Sequence, residues 1–449
     1  MKNKDYFNKK GIACFDINNK YSGIVDPDNV FWNIFRKTNG ETPFISRKAL
    51  SLYERTKESC DREMDHIRFD TGLTAIYIDP TDLCNADCPY CYVPKKLRKE
   101  GRSMSQEELD FTLKKIAAYS KGRRKLVIIF HASEPLLVKD ILFNAIEKFN
   151  GIFYFGIQTN AVLLEKRDVV FLKKHRVSIG ISLDAADMVT NNRSRRCGKA
   201  GGNFRKAVAA IDWFKGYKGL NVITTMTKLN IPRLADLVKF LHKKRVPCVL
   251  INPVRLTQSN SRGLRPDDKV MAKYFIKAIE EAIKCSRNSS HQIIIGNFAN
   301  TILSITAPSA RRLMCDISPC GGGRCFFTIT ASGEMIPCGE FIGLKGFSGG
   351  NIFRNSIETA MRSKQFKQIR SRFVEKIPEC DICILRNICG APCPAELHSL
   401  GNMYKKSVFC EFYKEIMNYA FKLISEGKEK YCFRPEGLNN LEYVYNLNN

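Results

Sequence analysis

The chain has 449 residues, 44% of them hydrophobic, with 72 Lys and Arg against 45 Asp and Glu, 18 Cys and only 6 His. That length exceeds one core, and the composition excludes a collagen-like repeat, a disordered chain and, since no apolar run is long enough, a membrane span. A formal charge of +27 points to an acidic partner, and a basic start with no apolar stretch behind it predicts a soluble cytoplasmic protein whose cysteines serve as thiols or ligands rather than disulfides.

Residues 1–72 contain GIACFDINNKYSGIVDPDNVFWNIFRK. Two strand-like runs, an Asp-Pro-Asp turn and an amphipathic segment predict a small ordered appendage, either a substrate- or leader-recognition segment or a plain cap on the neighbouring domain.

From residue 73 to about 300 the chain alternates short apolar runs with helical patterns, the mark of repeated βα units around a parallel sheet. Six strands are predicted: LTAIYID (73–79), LVIIFH (126–131), FYFGIQ (153–158), VSIGISL (177–183), LNVITTM (220–226) and CVLINP (248–253). Helical segments such as 105–120 and 231–244 separate them. The predicted fold class is therefore α/β, a partial (βα)6 barrel of TIM-like kind, with chemistry expected at the C-terminal strand ends.

Those ends are polar. Strand one runs into Cys84, Cys88 and Cys91, spaced Cys-x3-Cys-x2-Cys with Tyr90 before the last thiol. Strand two runs into Ala132-Ser133-Glu134-Pro135, strand three into Gln158-Thr159-Asn160, and strand four into Ser182-Leu183-Asp184, with the basic stretch Arg193-Ser194-Arg195-Arg196 beyond. Zinc usually takes four ligands, often with His, whereas iron–sulfur clusters are held by Cys thiolates. Three thiolates on a [4Fe–4S] cube leave one iron open. A zinc knuckle is the competing reading.

Residues 301–449 hold the second bunch of thiols: Cys320, Cys325 and Cys338, then Cys380, Cys383, Cys389 and Cys393 spaced Cys-x2-Cys-x5-Cys-x3-Cys, then Cys410. Two zinc ribbons are the alternative to clusters here. The other cysteines, Cys315 among them, read as buried or ordinary thiols.

The Cys84–Cys91 run resembles the signature of the radical S-adenosylmethionine (radical SAM) superfamily, and the thiols of 315–415 resemble its SPASM extension. The resemblance implies that Cys84, Cys88 and Cys91 hold a [4Fe–4S] cluster whose open iron chelates SAM, which is cleaved reductively to a 5′-deoxyadenosyl radical. It implies SAM contacts from Tyr90, Ser133, Glu134, Asn160, Ser182 and one of Arg193 and Arg195. Two auxiliary [4Fe–4S] clusters are implied, the first on Cys320, Cys325, Cys338 and Cys393 and the second on Cys380, Cys383, Cys389 and Cys410. Cys315 competes with Cys325. Where the family usually has Gly-Gly-Glu-Pro, this chain has Ala132-Ser133-Glu134-Pro135, which puts the close backbone approach in question.

The implied activity is modification of a ribosomally made peptide or protein, by crosslinking or side-chain oxidation, with an electron donor such as flavodoxin or ferredoxin. Sulfatase maturases of this family carry an Asp base directly after the equivalent of Cys338; here that residue is Gly339, with Glu340 next, which weighs against formylglycine formation. Basic clusters such as Lys95 to Lys99 and Arg193 to Arg196 suit an acidic peptide. No compact RNA-binding motif supports the rival of a tRNA-modifying enzyme, and a non-catalytic zinc-binding adaptor is the remaining alternative.

Overall fold

Alternating β-branched and aromatic residues drive the N-terminal strands together: β1 (Ala13–Asp16), β2 (Tyr21–Val25) and β3 (Trp32–Arg36) form an antiparallel sheet, with Ile24 and Val25 buried. The computed structural model describes residues 11–38, 47–198, 201–311 and 314–434. Parts of the predicted end segments, residues 1–10, 39–46, 312–313 and 435–449, lie outside the described residues. The small sheet and the helix Arg47–Asp65 are fastened to the rest of the molecule. Trp32 Nε1 donates to the Ile305 carbonyl at 2.8 Å, Asn387 Nδ2 donates to the Pro27 carbonyl at 3.0 Å, and Glu63 accepts from the Ser309 amide at 3.0 Å.

All six predicted barrel strands form. They are β4 (Ala75–Ile78), β5 (Val127–Phe130), β6 (Tyr154–Thr159), β7 (Ser178–Ser182), β8 (Leu220–Met226) and β9 (Cys248–Pro253), each parallel to the next. Ile76, Ile78, Ile128, Phe130, Ile179, Ile181 and Val222 are fully buried, while alternate residues of β4, β5 and β8 are only half-buried. One face of the sheet is thus closed by helices and the other is less filled. The helix Gln106–Ser120 begins where the sequence places it: the Ser105 hydroxyl accepts from the Glu108 amide, and the Glu108 carboxylate accepts from the Ser105 amide.

Three strands extend the sheet beyond the six. The short β10 (Ile294–Ile295) runs parallel to β9 at one end. At the other, β11 (Phe326–Ile329) pairs in parallel with β4, Phe326 opposite Ala75 and Ile329 opposite Ile78, and β12 (Met335–Ile336) turns back along β11. The order is β10-β9-β8-β7-β6-β5-β4-β11-β12. The C-terminal third therefore enters through the sheet itself, beside the strand that carries the first cysteines. Among the described residues, no helix is long and apolar enough to cross a membrane.

Candidate active site

The loop after β4 is shaped from behind by one arginine. Arg98, on the helix Lys95–Glu100, is 3% exposed, and its guanidinium donates to the Val93 carbonyl (3.1 Å), the Ala86 carbonyl (3.0 Å) and Asp87 Oδ1 (3.3 Å). Its own carbonyl accepts from the Cys84 amide at 3.0 Å. Within this frame the Ala86 amide donates to Cys84 Sγ at 3.4 Å, and the Cys91 amide to the Cys88 carbonyl at 3.1 Å. Burial pushes all three thiols up, Cys84 to about 12, against the pull of Arg98 beside Cys84 and Cys91 and of Arg195 beside Cys88. A thiol that burial keeps protonated, with cations set to receive its thiolate, fits a ligand that loses its proton to a metal.

The loop after β5 keeps a glycine-like shape without glycine. Ala132 and Ser133 both sit in the left-handed region, at φ 51° and 48°, a conformation that costs a non-glycine residue on the order of 1–2 kcal/mol. Ser133 Oγ donates to the Asp82 carbonyl at 2.6 Å, which ties this loop to the cysteine loop. Glu134 is fully buried. Its Oε1 accepts from the Leu136 amide (3.1 Å) and Thr159 Oγ1 (2.6 Å), and its Oε2 from the Asn160 amide (2.8 Å). Burial still wins over these donors and raises its carboxyl to about 7. The remaining lone pair on Oε2 is the acceptor it has left.

Asn160 links the next strand ends. Its Nδ2 donates to Asn85 Oδ1 at 2.7 Å, and its carbonyl, like that of Ser182, accepts from Asn203 Nδ2, at 3.0 and 2.8 Å. The two candidate arginines separate cleanly. Arg193 is exposed, whereas Arg195 is buried, pairs with Asp184 Oδ1 at 3.1 Å and lies over the Tyr90 ring at 5.6 Å. Tyr90 donates its hydroxyl to Asp184 Oδ2 at 2.5 Å. Tyr90, Asp184 and Arg195 thus form one buried unit, adjoining Cys88.

The later thiols assemble into two sets. Cys380 and Cys389 each have both Cys383 and Cys410 as electrostatic neighbours, and Cys410 has Cys383. Cys393 departs from that company to join Cys320 and Cys338, and Cys315 stands with them: its neighbours include Cys320 and Cys393, and it acts in turn on Cys338. Cys315 is exposed as a residue, yet protein crowds its thiol, and burial raises it well above the usual thiol range. Cys325 is turned the other way, its Sγ 3.5 Å from the Thr71 carbonyl, with Cys320 the single thiol acting on it. Arg372, 1% exposed and held by the Met403 carbonyl at 2.6 Å, lies between the sets and acts on Cys320, Cys393, Cys380 and Cys389. Among the described residues, no three His, Cys, Asp or Glu side chains converge closely enough to hold a single metal ion.

Between the cysteine loop and the Cys315 set lies a group of polar side chains of which sequence reasoning singled out only Glu340. Arg255, just past β9, pairs with Glu340 Oε1 at 3.3 Å and faces Glu396 Oε2 at 3.9 Å. Glu340 acts on Cys91, Cys338 and Cys393, which places it between the two thiol sets. His131 and Asp79, at the ends of β5 and β4, stand 3.5 Å apart, and the Tyr92 hydroxyl meets His131 Nε2 at 3.2 Å. The available signal was positional: Asp79 and His131 close adjacent strands on the side where barrels keep their chemistry.

Residues 78–241 match the radical SAM superfamily, and residues 320–384 match SPASM, an iron–sulfur cluster-binding domain. The chain belongs to the radical SAM superfamily. An uncharacterized protein of Archaeoglobus fulgidus is 43% identical over 91% of this chain and 94% of its own length. A cysteine-type anaerobic sulfatase-maturating enzyme of Clostridium perfringens is 23% identical over 75% of this chain and 93% of its own. Among solved structures, native anSMEcpe with bound AdoMet and Cp18Cys peptide superposes with a TM-score of 0.69 at 20% identity, covering 79% of this chain and 98% of that one. SuiB of Streptococcus suis bound to precursor peptide SuiA superposes at 0.58 and 15% identity, covering 89% and 98%. At these identities the likeness is one of fold. The cofactors of this radical SAM chain are those of its two domains, SAM with its iron–sulfur cluster and the further clusters of SPASM.

Proposed function

We propose that this chain modifies a ribosomally made peptide or protein, most simply by crosslinking or side-chain oxidation. The observation that carries the reading is the cluster of polar side chains, Arg255, Glu340, His131 and Asp79, that stands between the cysteine loop and the Cys315 set. When bound, SAM and its cluster supply a 5′-deoxyadenosyl radical able to remove hydrogen from an unactivated carbon. Cys84, Cys88 and Cys91 would hold that cluster, Glu134 would offer its remaining acceptor to the SAM ammonium, and Asn160, Ser182 and the Tyr90–Asp184–Arg195 unit would set the shape of the cofactor site. The first auxiliary set is Cys315, Cys320, Cys338 and Cys393, and the second is Cys380, Cys383, Cys389 and Cys410. The relatives that act on or bind peptides support a peptide substrate, and the net charge supports an acidic one. Gly339, and the engagement of Glu340 by Arg255, weigh against formylglycine chemistry of the sulfatase-maturase kind.

Anaerobic reconstitution with iron and sulfide, and then addition of SAM and dithionite, tests the reading. The wild type yields 5′-deoxyadenosine, and Cys88→Ala yields none above the enzyme-free background. Full zinc occupancy without iron in protein purified anaerobically would overturn it.

A further inference from the structure

Asp79 is 1% exposed, and neither of its carboxylate oxygens has a hydrogen-bond donor in ordinary geometry among the described residues. What faces it is His131 Nδ1 at 3.5 Å, itself without another partner. Such a carboxylate is costly unless it holds a proton donor in place. The other edge of the same ring, Nε2, points to the Tyr92 hydroxyl across a long 3.2 Å contact, and the imidazole stays partly open, its side chain 19% exposed. Tyr77 packs edge-on against it, with ring centroids 5.2 Å apart, and Glu340 is a further charged group coupled to the ring.

The decisive geometry is at Gly339. A Cβ built there would stand 3.3 Å from His131 Cε1, 3.6 Å from its Nδ1 and 3.7 Å from Thr328 Oγ1. The residue after Cys338 therefore points straight at the imidazole. In this chain the space a side chain at 339 would take is filled by His131, reaching in from β5.

We propose that His131 is a proton-accepting residue for the substrate and that Asp79 is its positioning residue. The inference rests on the peptide-modifying reading above. Asp79 keeps the ring proton on Nδ1, so the Nε2 lone pair is left free to accept. A thiol or hydroxyl of the bound substrate takes the donor position now shared with Tyr92. Its S–H or O–H bond breaks, the electron pair stays on the substrate, and the proton forms an Nε2–H bond. The resulting imidazolium faces the Asp79 carboxylate, so the pair carries no net charge after the transfer. Glu340, engaged by Arg255, is left out of this step.

The test needs no turnover. In holoenzyme labelled with 15N-histidine, oxidised and SAM-bound, long-range proton–nitrogen correlation reads the tautomer of each ring, and His131→Gln identifies the signal. The expected result is Nδ1–H with an unprotonated Nε2 in the wild type, and a shift of the majority to Nε2–H in Asp79→Ala. A wild-type ring protonated at Nε2 overturns the proposal, because that atom could then accept nothing; the measurement stands even where Asp79→Ala fails to fold. An unchanged tautomer in folded Asp79→Ala overturns the role of Asp79. Formation of 5′-deoxyadenosine by the wild type is scored separately, so this inference and the functional reading fail independently.

Discussion

The first thiol set and the later two are built on different principles. Cys84, Cys88 and Cys91 share one loop, pinned by the single buried side chain of Arg98, so their spacing in sequence is already their spacing in space. The later sets are collected from residues 315 to 410 by topology. Cys389 and Cys393 are near neighbours in the chain yet belong to different sets, because the short helix Arg386–Cys389 ends at Gly390 in the left-handed region (φ 67°) and the chain turns before the helix Pro394–Ser399 begins. A side chain at Gly390 would meet the Ile317 backbone at 2.5 Å. Spacing in sequence therefore reports proximity within a loop and does not report it across a fold.

The sharpest way to break this comparison is to exchange the two competing cysteines. Cys315→Ala is expected to lose about four irons per chain, the content of one cube, whereas Cys325→Ala keeps its iron and shows only the small loss of a buried thiol's packing; iron and sulfide analysis decides between them. Next, Gly390→Ala imposes both left-handed strain and a clash with backbone, an expected loss of more than about 3 kcal/mol. Its Tm should fall and the later clusters should be lost while the Cys84 set still loads, which is read by iron content and electron paramagnetic resonance of each reduced cluster.

A smaller effect concerns Glu134. Its folded-state value is raised from 4.5 to about 7 by burial, so between those values the folded chain holds a proton that the unfolded chain has released. Stability without SAM should therefore fall as pH rises through that window, by about 3 kcal/mol, and level off above it. Glu134→Gln should flatten this part of the denaturation profile. The smallest effect is at Ala132, where glycine relieves the strain at φ 51°. Ala132→Gly should stabilise by about 1 kcal/mol, visible as a modest rise in Tm. Ser133→Gly should gain less, since it also loses the bond to the Asp82 carbonyl.

Much of the barrel was legible because its signals are local. The six apolar runs became β4 to β9, and the Ser105 capping box started its helix where the sequence placed it. The strand-end motifs lie side by side: Glu134 touches the segment of Asn160, and Asn160 reaches Asn85 in the cysteine loop. What stayed hidden depends on contacts between distant residues. Arg193 and Arg195 are indistinguishable in sequence, and only the buried Asp184 carboxylate separates them. Cys325 has plausible spacing but is drawn toward Thr71 by the pairing of β11 with β4. His131 read as the last residue of a strand, because its meaning lies in Asp79 on the neighbouring strand and in the missing side chain of Gly339.

The pairing of β11 with β4 has an evolutionary consequence. A module joined by a linker can be exchanged between genes as a cassette, but here the C-terminal third supplies the strand that completes one side of β4. A chimera cut at the linker before β11 would leave β4 with open backbone groups along an edge, which invites pairing with other chains. Recombination that respects this fold must carry β11 and β12 with the barrel, so the two cluster-bearing regions are expected to have diverged together rather than to have been traded separately.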